Sequence, residues 1–349
     1  MTAPAAIVTD QDSFAAEDRQ TRELLRDLHQ VRQGIYWADL LVTSAIGWTG
    51  FAFAVALRPF SLPMLSATGI AVIFLYRALC FVHEISHQTA RTLPYFEASW
   101  NILIGYPLLL PSFAYVGVHQ SHHKLSTYGT KRDPEYLPFA RSARMTLLFT
   151  LQSLLMPVFL IARFLFLSPV GLISRSAQQW LIVHCSSLTI NPEYRREVTP
   201  GLIGYSRRHS AIILVLWCVL AVLALTGRIP WHFLPVWIAV SALISFINTL
   251  RTLAAHAYES SGEAMSRAQQ LADSIDTPGA PWTEIWAPVG LRYHALHHYF
   301  SGIPYHNLGK AWQRLSQDLP ADAQYHRVRS RGLLHSLCAL WHQGIRRSA

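Results

Sequence analysis

The sequence predicts an all-α integral membrane protein, with four spanning helices in two hairpins and a helical cytoplasmic cap. Three observations predict it. Charged residues make up only 14% of the chain and hydrophobic residues 51%, against about 25% charged in an ordinary soluble domain. Four apolar segments approach the roughly 20 residues a spanning helix needs. The 17 histidines gather into three short words with helical spacing.

The spans are expected at residues 38–57, 62–82, 210–226 and 231–250. The turn Arg58-Pro59-Phe60-Ser61 closes the first hairpin, and Gly227-Arg228-Ile229-Pro230 closes the second. Residues 1–37 are polar and carry Asp10, Asp12, Glu17 and Asp18, with no basic stretch leading into a short apolar core. The first apolar segment is therefore expected to be a retained anchor and not a signal peptide. Residues 38–315 form the expected membrane domain, and residues 316–349 a cytoplasmic tail.

Two further apolar stretches read differently. Residues 99–113 are short and contain Pro107 and Pro111, which suits a re-entrant or buried segment. Residues 145–167 are long enough to span, but Gln152, Pro157 and Arg163 interrupt them. An interfacial helix is the expectation there.

Charge sets the orientation. Each hairpin turn carries one Arg, whereas the segment from Arg91 to Arg208 carries twelve Lys or Arg and the chain after Leu250 ten. The positive-inside rule places both large segments and both termini in the cytoplasm. The net charge of +9 is spread around apolar segments and not concentrated in blocks, so nucleic acid is not an expected partner. The cysteines Cys80, Cys185, Cys218 and Cys338 show no CxxC pattern, which argues against a disulfide framework or a thiolate metal site.

The chemistry lies in the histidine words. They are His83-Glu84-Ile85-Ser86-His87, His119-Gln120-Ser121-His122-His123 and His294-Ala295-Leu296-His297-His298. On a helix, positions i, i+3 and i+4 share one face, so HxxxH presents two imidazoles together and HxxHH three. Converging, the three words offer eight nitrogen donors. That is more than one ion uses and fits two ions with open positions. Imidazole suits Fe, Cu, Ni and Zn, so the donors alone do not name the metal.

The first word also reads as HExxH, a zinc-protease pattern. A hydrolytic zinc uses three protein ligands and a water, which leaves both HxxHH words without a purpose. Glu84 is then either a partner to a ligating imidazole or a solvated helix residue.

HxxxH, HxxHH and HxxHH in this order around paired hairpins resemble the membrane fatty acid desaturase superfamily. The three-residue gap in the first word is closest to the acyl-lipid type. The run from His297 to Tyr305-His306 is similar to the family's segment after the third box, with Ser301 in place of a Pro. The resemblance spans residues 38–315. It implies two non-haem irons, dioxygen as co-substrate and a separate electron donor such as a ferredoxin. It also implies a further ligand after the fourth span, where His256 stands. The Asn found four residues before that position in acyl-CoA desaturases is Thr252 here. The implied metal ligands are thus His83, His87, His119, His122, His123, His256, His294, His297 and His298. The implied reaction is introduction of a double bond into a fatty acyl chain of a membrane lipid. Hydroxylation or ketolation of a lipid or carotenoid at the same site is the alternative.

Weaker expectations complete the reading. Arg77, inside the second span, either pairs with Asp39 or extends toward the headgroups, the latter being favoured. Lys131-Arg132-Asp133-Pro134-Glu135-Tyr136 reads as a solvated loop. Asp273, Asp276 and His306 are candidate supports for the imidazoles.

Overall fold

The computed structural model describes residues 11–186 and 190–348, and every named element among them is helical. Among the described residues the only β-type pairings are isolated bridges, His256 with Ser274 and Asp276 with Tyr293 and Arg329. Five helices are long and apolar enough to cross a membrane: Gln33–Ala56, Leu62–His87, Ala143–Ile173, Leu202–Leu225 and Phe233–Ala254. Four overlap the apolar segments expected at 38–57, 62–82, 210–226 and 231–250. The fifth, Ala143–Ile173, meets the same length and composition criteria despite its prolines. It does so because Pro157 and Pro169 each fall at the start of a helical turn, where no backbone N–H is needed, and π-helical residues Ala162–Leu167 absorb the change of register.

The chain divides into two units. One comprises Gln33–Ser121 and Leu147–Thr249. Its first hairpin is closed by Ser61, whose side chain caps helix Leu62–His87 at Met64 N–H, with Pro63 in the first turn. The two helices pack closely at Gly47 and Gly50. A Cβ on Gly47 would lie 2.7 Å from Leu75, and one on Gly50 3.0 Å from the Ala67 carbonyl. Arg77 extends to Asp39 rather than to the headgroups, with Nη2 2.6 Å and Nε 2.9 Å from its two oxygens. This corrects the snorkelling expectation: a two-pronged ion pair satisfies both charges within the hairpin. The second core of this unit joins Phe113, Phe164, Ile213, Trp217 and Trp237. Residues 99–113 begin as a helix with a π turn at Asn101–Gly105 and continue through turns, with Trp100 and Ile104 buried. That agrees with a buried segment.

The other unit comprises Met1–Arg32, His122–Thr146 and Leu250–Ala349. Its core gathers Phe14, Leu25 and Leu28 from the N-terminal segment with Leu271, Leu296, Tyr299, Leu308, Leu315 and Tyr325. Residues distant in sequence thus meet beneath the third histidine word. Cys185, Cys218 and Cys338 are free thiols.

Candidate metal centre

The first word occupies the last turn of helix Leu62–His87. No break separates the apolar span from its histidines, so the span itself fixes their position. The His83 and His87 rings lie 5.2 Å apart. His119, on helix Val116–His122, stands 4.7 Å from His83 and 5.1 Å from His87. Gln120 Nε2 donates to the Ser86 carbonyl at 2.9 Å and ties the two words together. Glu84 is 2% exposed, and Tyr36 Oη donates to it. It is therefore a buried, partnered carboxylate, not a solvated one, with an oxygen 3.8 Å from His83 Nδ1.

In the other unit, His122, His256, His294 and His298 form a group whose donor atoms all lie within 4.8 Å of one another. His256 Nε2 and His294 Nε2 are 2.8 Å apart. Two imidazole nitrogens about 2.1 Å from one ion and at right angles stand about 3.0 Å apart, so this approach suits a shared cation. His123 stacks on His298 at 4.2 Å and lies 4.9 Å from His297.

His122 and His256 each have a support that sets the tautomer. His122 Nδ1 donates to Asp133 at 2.9 Å, which leaves Nε2 to face the group. Asp133 is fully buried and also accepts from the backbone N–H of Gly129 and Glu135. Gly129 holds φ +70, and a Cβ there would lie 2.9 Å from Ser260 Oγ, so only glycine turns the chain this way without strain. Burial alone lowers the pKa of His122, but the Asp133 carboxylate outweighs it and the net shift is upward. The run from Lys131 to Tyr136 is thus not a solvated loop, because its Asp133 sits inside the cap.

His256 Nδ1 donates to Tyr128 Oη at 2.8 Å, and Tyr128 donates onward to Asp273 Oδ2 at 2.9 Å. Tyr136 Oη donates to the other oxygen of Asp273 at 3.1 Å. Burial raises the Asp273 pKa to about 6. His298 Nδ1 meets Gln270 at 3.3 Å, and its Nε2 is buried without a hydrogen-bond partner. A buried nitrogen left bare is costly unless it has a ligand role. Burial, then the neighbouring charges, pushes the pKa of both His256 and His298 well below the ordinary value. Both are therefore neutral imidazoles, the form that binds metal.

One short helix supplies two of these supports. Helix Arg267–Asp273 starts at a reciprocal cap between Ser266 and Gln269, and Gln270 and Asp273 share its inner face at i, i+3. Backbone bonds from Ala257 N–H to Asp273 and from Ile275 N–H to Ala255 hold His256 beside it.

Asp276 acts differently from the expectation that it meets an imidazole. It accepts from the Ala295 and Leu296 N–H groups at 2.8 and 3.2 Å, and from Tyr325 Oη at 2.6 Å. A carboxylate there satisfies the open donors of helix His294–Tyr299 and so fixes the third word. Burial raises its pKa to about 6. His306 is also structural: its Nε2 accepts from the Arg32 N–H at 3.1 Å.

Asp133, Tyr128, Tyr136 and Gln270 carry much of this arrangement, and the spacing of the words does not reveal them. The Ser-x-x-Gln pattern at Ser266–Gln269 is a helix-start signal that could place Gln270 and Asp273 on one short helix.

The fatty acid desaturase family model matches residues 59–330. The chain belongs to the fatty acid desaturase family. It is therefore an oxidoreductase of this non-haem di-iron type, with histidine clusters able to hold metal. It is also 38% identical over 334 residues to the ceramide hydroxylase of Caulobacter vibrioides (strain NA1000 / CB15N), covering 95% of each chain. No solved structure matches the chain significantly.

Proposed function

We propose that this protein is a membrane-embedded, dioxygen-dependent hydroxylase of a ceramide or a closely related lipid. The observation that carries the reaction type is its near-full-length similarity to a ceramide hydroxylase. It moves the reading from the double bond that the boxes first suggested to the hydroxylation alternative. In the balance, a substrate C–H, one O2, two electrons and two protons give C–OH and one water. Desaturation takes the same inputs to an alkene and two waters.

One iron is assigned to His122, His256, His294 and His298. His83, His87 and His119 in one unit, and His123 and His297 in the other, are proposed as the further iron ligands. Bound irons supply dioxygen binding and its reductive activation, which side chains alone do not provide. The chain supplies orientation. Asp133 keeps His122 Nε2 unprotonated, and the Asp273–Tyr128 pair does the same for His256 Nε2. Gln270 positions the His298 ring, its amide Nε2 lying 3.3 Å from Nδ1. Asp276 and Tyr325 hold the third box against the core. These outer partners typically govern metal affinity by about 10- to 100-fold each. The boxes and both termini are assigned to the cytoplasm by the distribution of Lys and Arg, where an acidic ferredoxin-like donor delivers two electrons.

The test is a comparison of lipid extracts from cells with and without the expressed protein, by mass spectrometry. Ceramides gaining one oxygen, lost in the His294→Ala variant, are expected. Acyl chains losing two hydrogens, with no oxygenated ceramide, would return the reading to desaturation.

A further inference from the structure

The C-terminal helix, Leu333–Ser348, is not needed by any step above, and its two faces differ sharply. Ser336, Leu340 and Gly344 are buried, at i, i+4 and i+8. Leu334, Cys338, Trp341 and Ile345, at i, i+4, i+7 and i+11, are exposed: Leu334 is 76%, Trp341 38% and Ile345 47% accessible. A continuous apolar stripe facing outward is unusual for a helix whose opposite face is already packed.

Charge and position say what covers it. Residues 323–349 contain five Arg and no Asp or Glu; Arg331 and Arg346 are exposed beside the stripe, and Arg347 pairs with Glu259 at 3.6 Å. The buried face packs on Phe139–Arg141 and on the first residue of the apolar helix Ala143–Ile173. A Cβ on Gly344 would lie 2.6 Å from Ala143 N. The helix is thus anchored where an apolar helix starts, the level at which chain enters or meets a bilayer. An apolar stripe with a Trp, flanked by arginines, matches a helix lying in the plane of a headgroup layer.

We propose that Leu333–Ser348 lies on the surface of the membrane, its outward stripe sunk among the lipids and its arginines on anionic headgroups. The inner edge of the same helix, at Ser336, Leu340 and Gln343, lines a cavity of about 190 Å³ that His256 also lines. Seating of the helix on lipid therefore fixes one wall beside an imidazole of the metal centre. The proposal holds whichever lipid reaction the protein performs.

Cys338 provides the probe. The full-length protein, with Cys185 and Cys218 replaced by Ala, carries an environment-sensitive fluorophore at Cys338 in lipid nanodiscs. Discs contain either phosphatidylcholine alone or phosphatidylcholine with phosphatidylglycerol, each with or without brominated acyl chains. A blue shift and strong bromine quenching in the anionic discs are expected, while a label at Asp322→Cys stays aqueous. Replacing Arg331 and Arg346 by Gln is expected to weaken the anionic preference about fivefold per arginine. Both arginines are exposed, so these variants fold. An aqueous signal in anionic discs overturns the proposal. So does equal quenching in neutral and anionic discs, or a shift that appears only when an acidic ferredoxin is added.

Discussion

Replacing Tyr128 by Phe deletes one oxygen atom and keeps the fully buried ring. That oxygen accepts from His256 Nδ1 at 2.8 Å and donates to Asp273 at 2.9 Å. Its loss leaves a buried imidazole N–H without an acceptor, at about 1–3 kcal/mol, and removes a bond to a carboxyl group, at about 1.5–3 kcal/mol. Asp273 keeps Tyr136 and the Glu259 N–H, so part of the second loss is recovered. A destabilisation of about 2–5 kcal/mol is expected. The freed imidazole also loses its tautomeric bias, so iron affinity falls by about 10- to 100-fold. Tyr136→Phe is the matched control, since it removes a bond to the same carboxyl group and none to an imidazole. It is expected to lower the melting temperature while leaving iron affinity within about twofold. The assay is iron content against free Fe(II), read beside thermal unfolding in detergent. Unchanged iron affinity in Tyr128→Phe, or an equal loss in Tyr136→Phe, refutes the relay from Asp273 to His256.

Other outcomes follow from the same geometry. Asp133→Asn keeps the volume but removes an acceptor for His122, so iron affinity is expected to drop about 10- to 100-fold with helicity unchanged; metal titration and circular dichroism check this. Gly344→Val forces a side chain onto Ala143, where a Cβ already lies at 2.6 Å. It is expected to cost about 1–3 kcal/mol by overpacking, visible as faster proteolysis of the C-terminal helix. In iron-free protein, Asp273 and Asp276 are expected to contribute stability that is lost as pH rises from about 4 to 6, against an opposite contribution from His256 and His298, whose folded pKa values are lowered. Asp273 and Asp276 have folded pKa values raised to about 6 from 3.8. At these two carboxyls the folded state holds more protons than the unfolded one in that window, so their share of the stability falls with rising pH and is gone above about 6. Asp276→Asn removes roughly half of that slope, measured by denaturant unfolding across the range.

Composition and periodicity are local properties, so the sequence alone determined the helical class, the apolar segments and the family. The spacing of the three words placed the imidazoles on helix faces, because i, i+3 and i+4 share a face whatever surrounds them. Only the tertiary structure decided what stands behind those imidazoles. Asp133 follows His122 by 11 residues, whereas Asp273 reaches His256 through Tyr128, 145 positions away. No local pattern encodes such a contact. The Arg77–Asp39 pair was open for the same reason, since two ends of a hairpin meet only once Gly47 and Gly50 let the helices close. Ala143–Ile173 was ambiguous because hydropathy does not show that its prolines fall where a turn begins. The donors were legible in the chain. Their tautomers and supports belong to the fold, because long-range burial and hydrogen bonding set them.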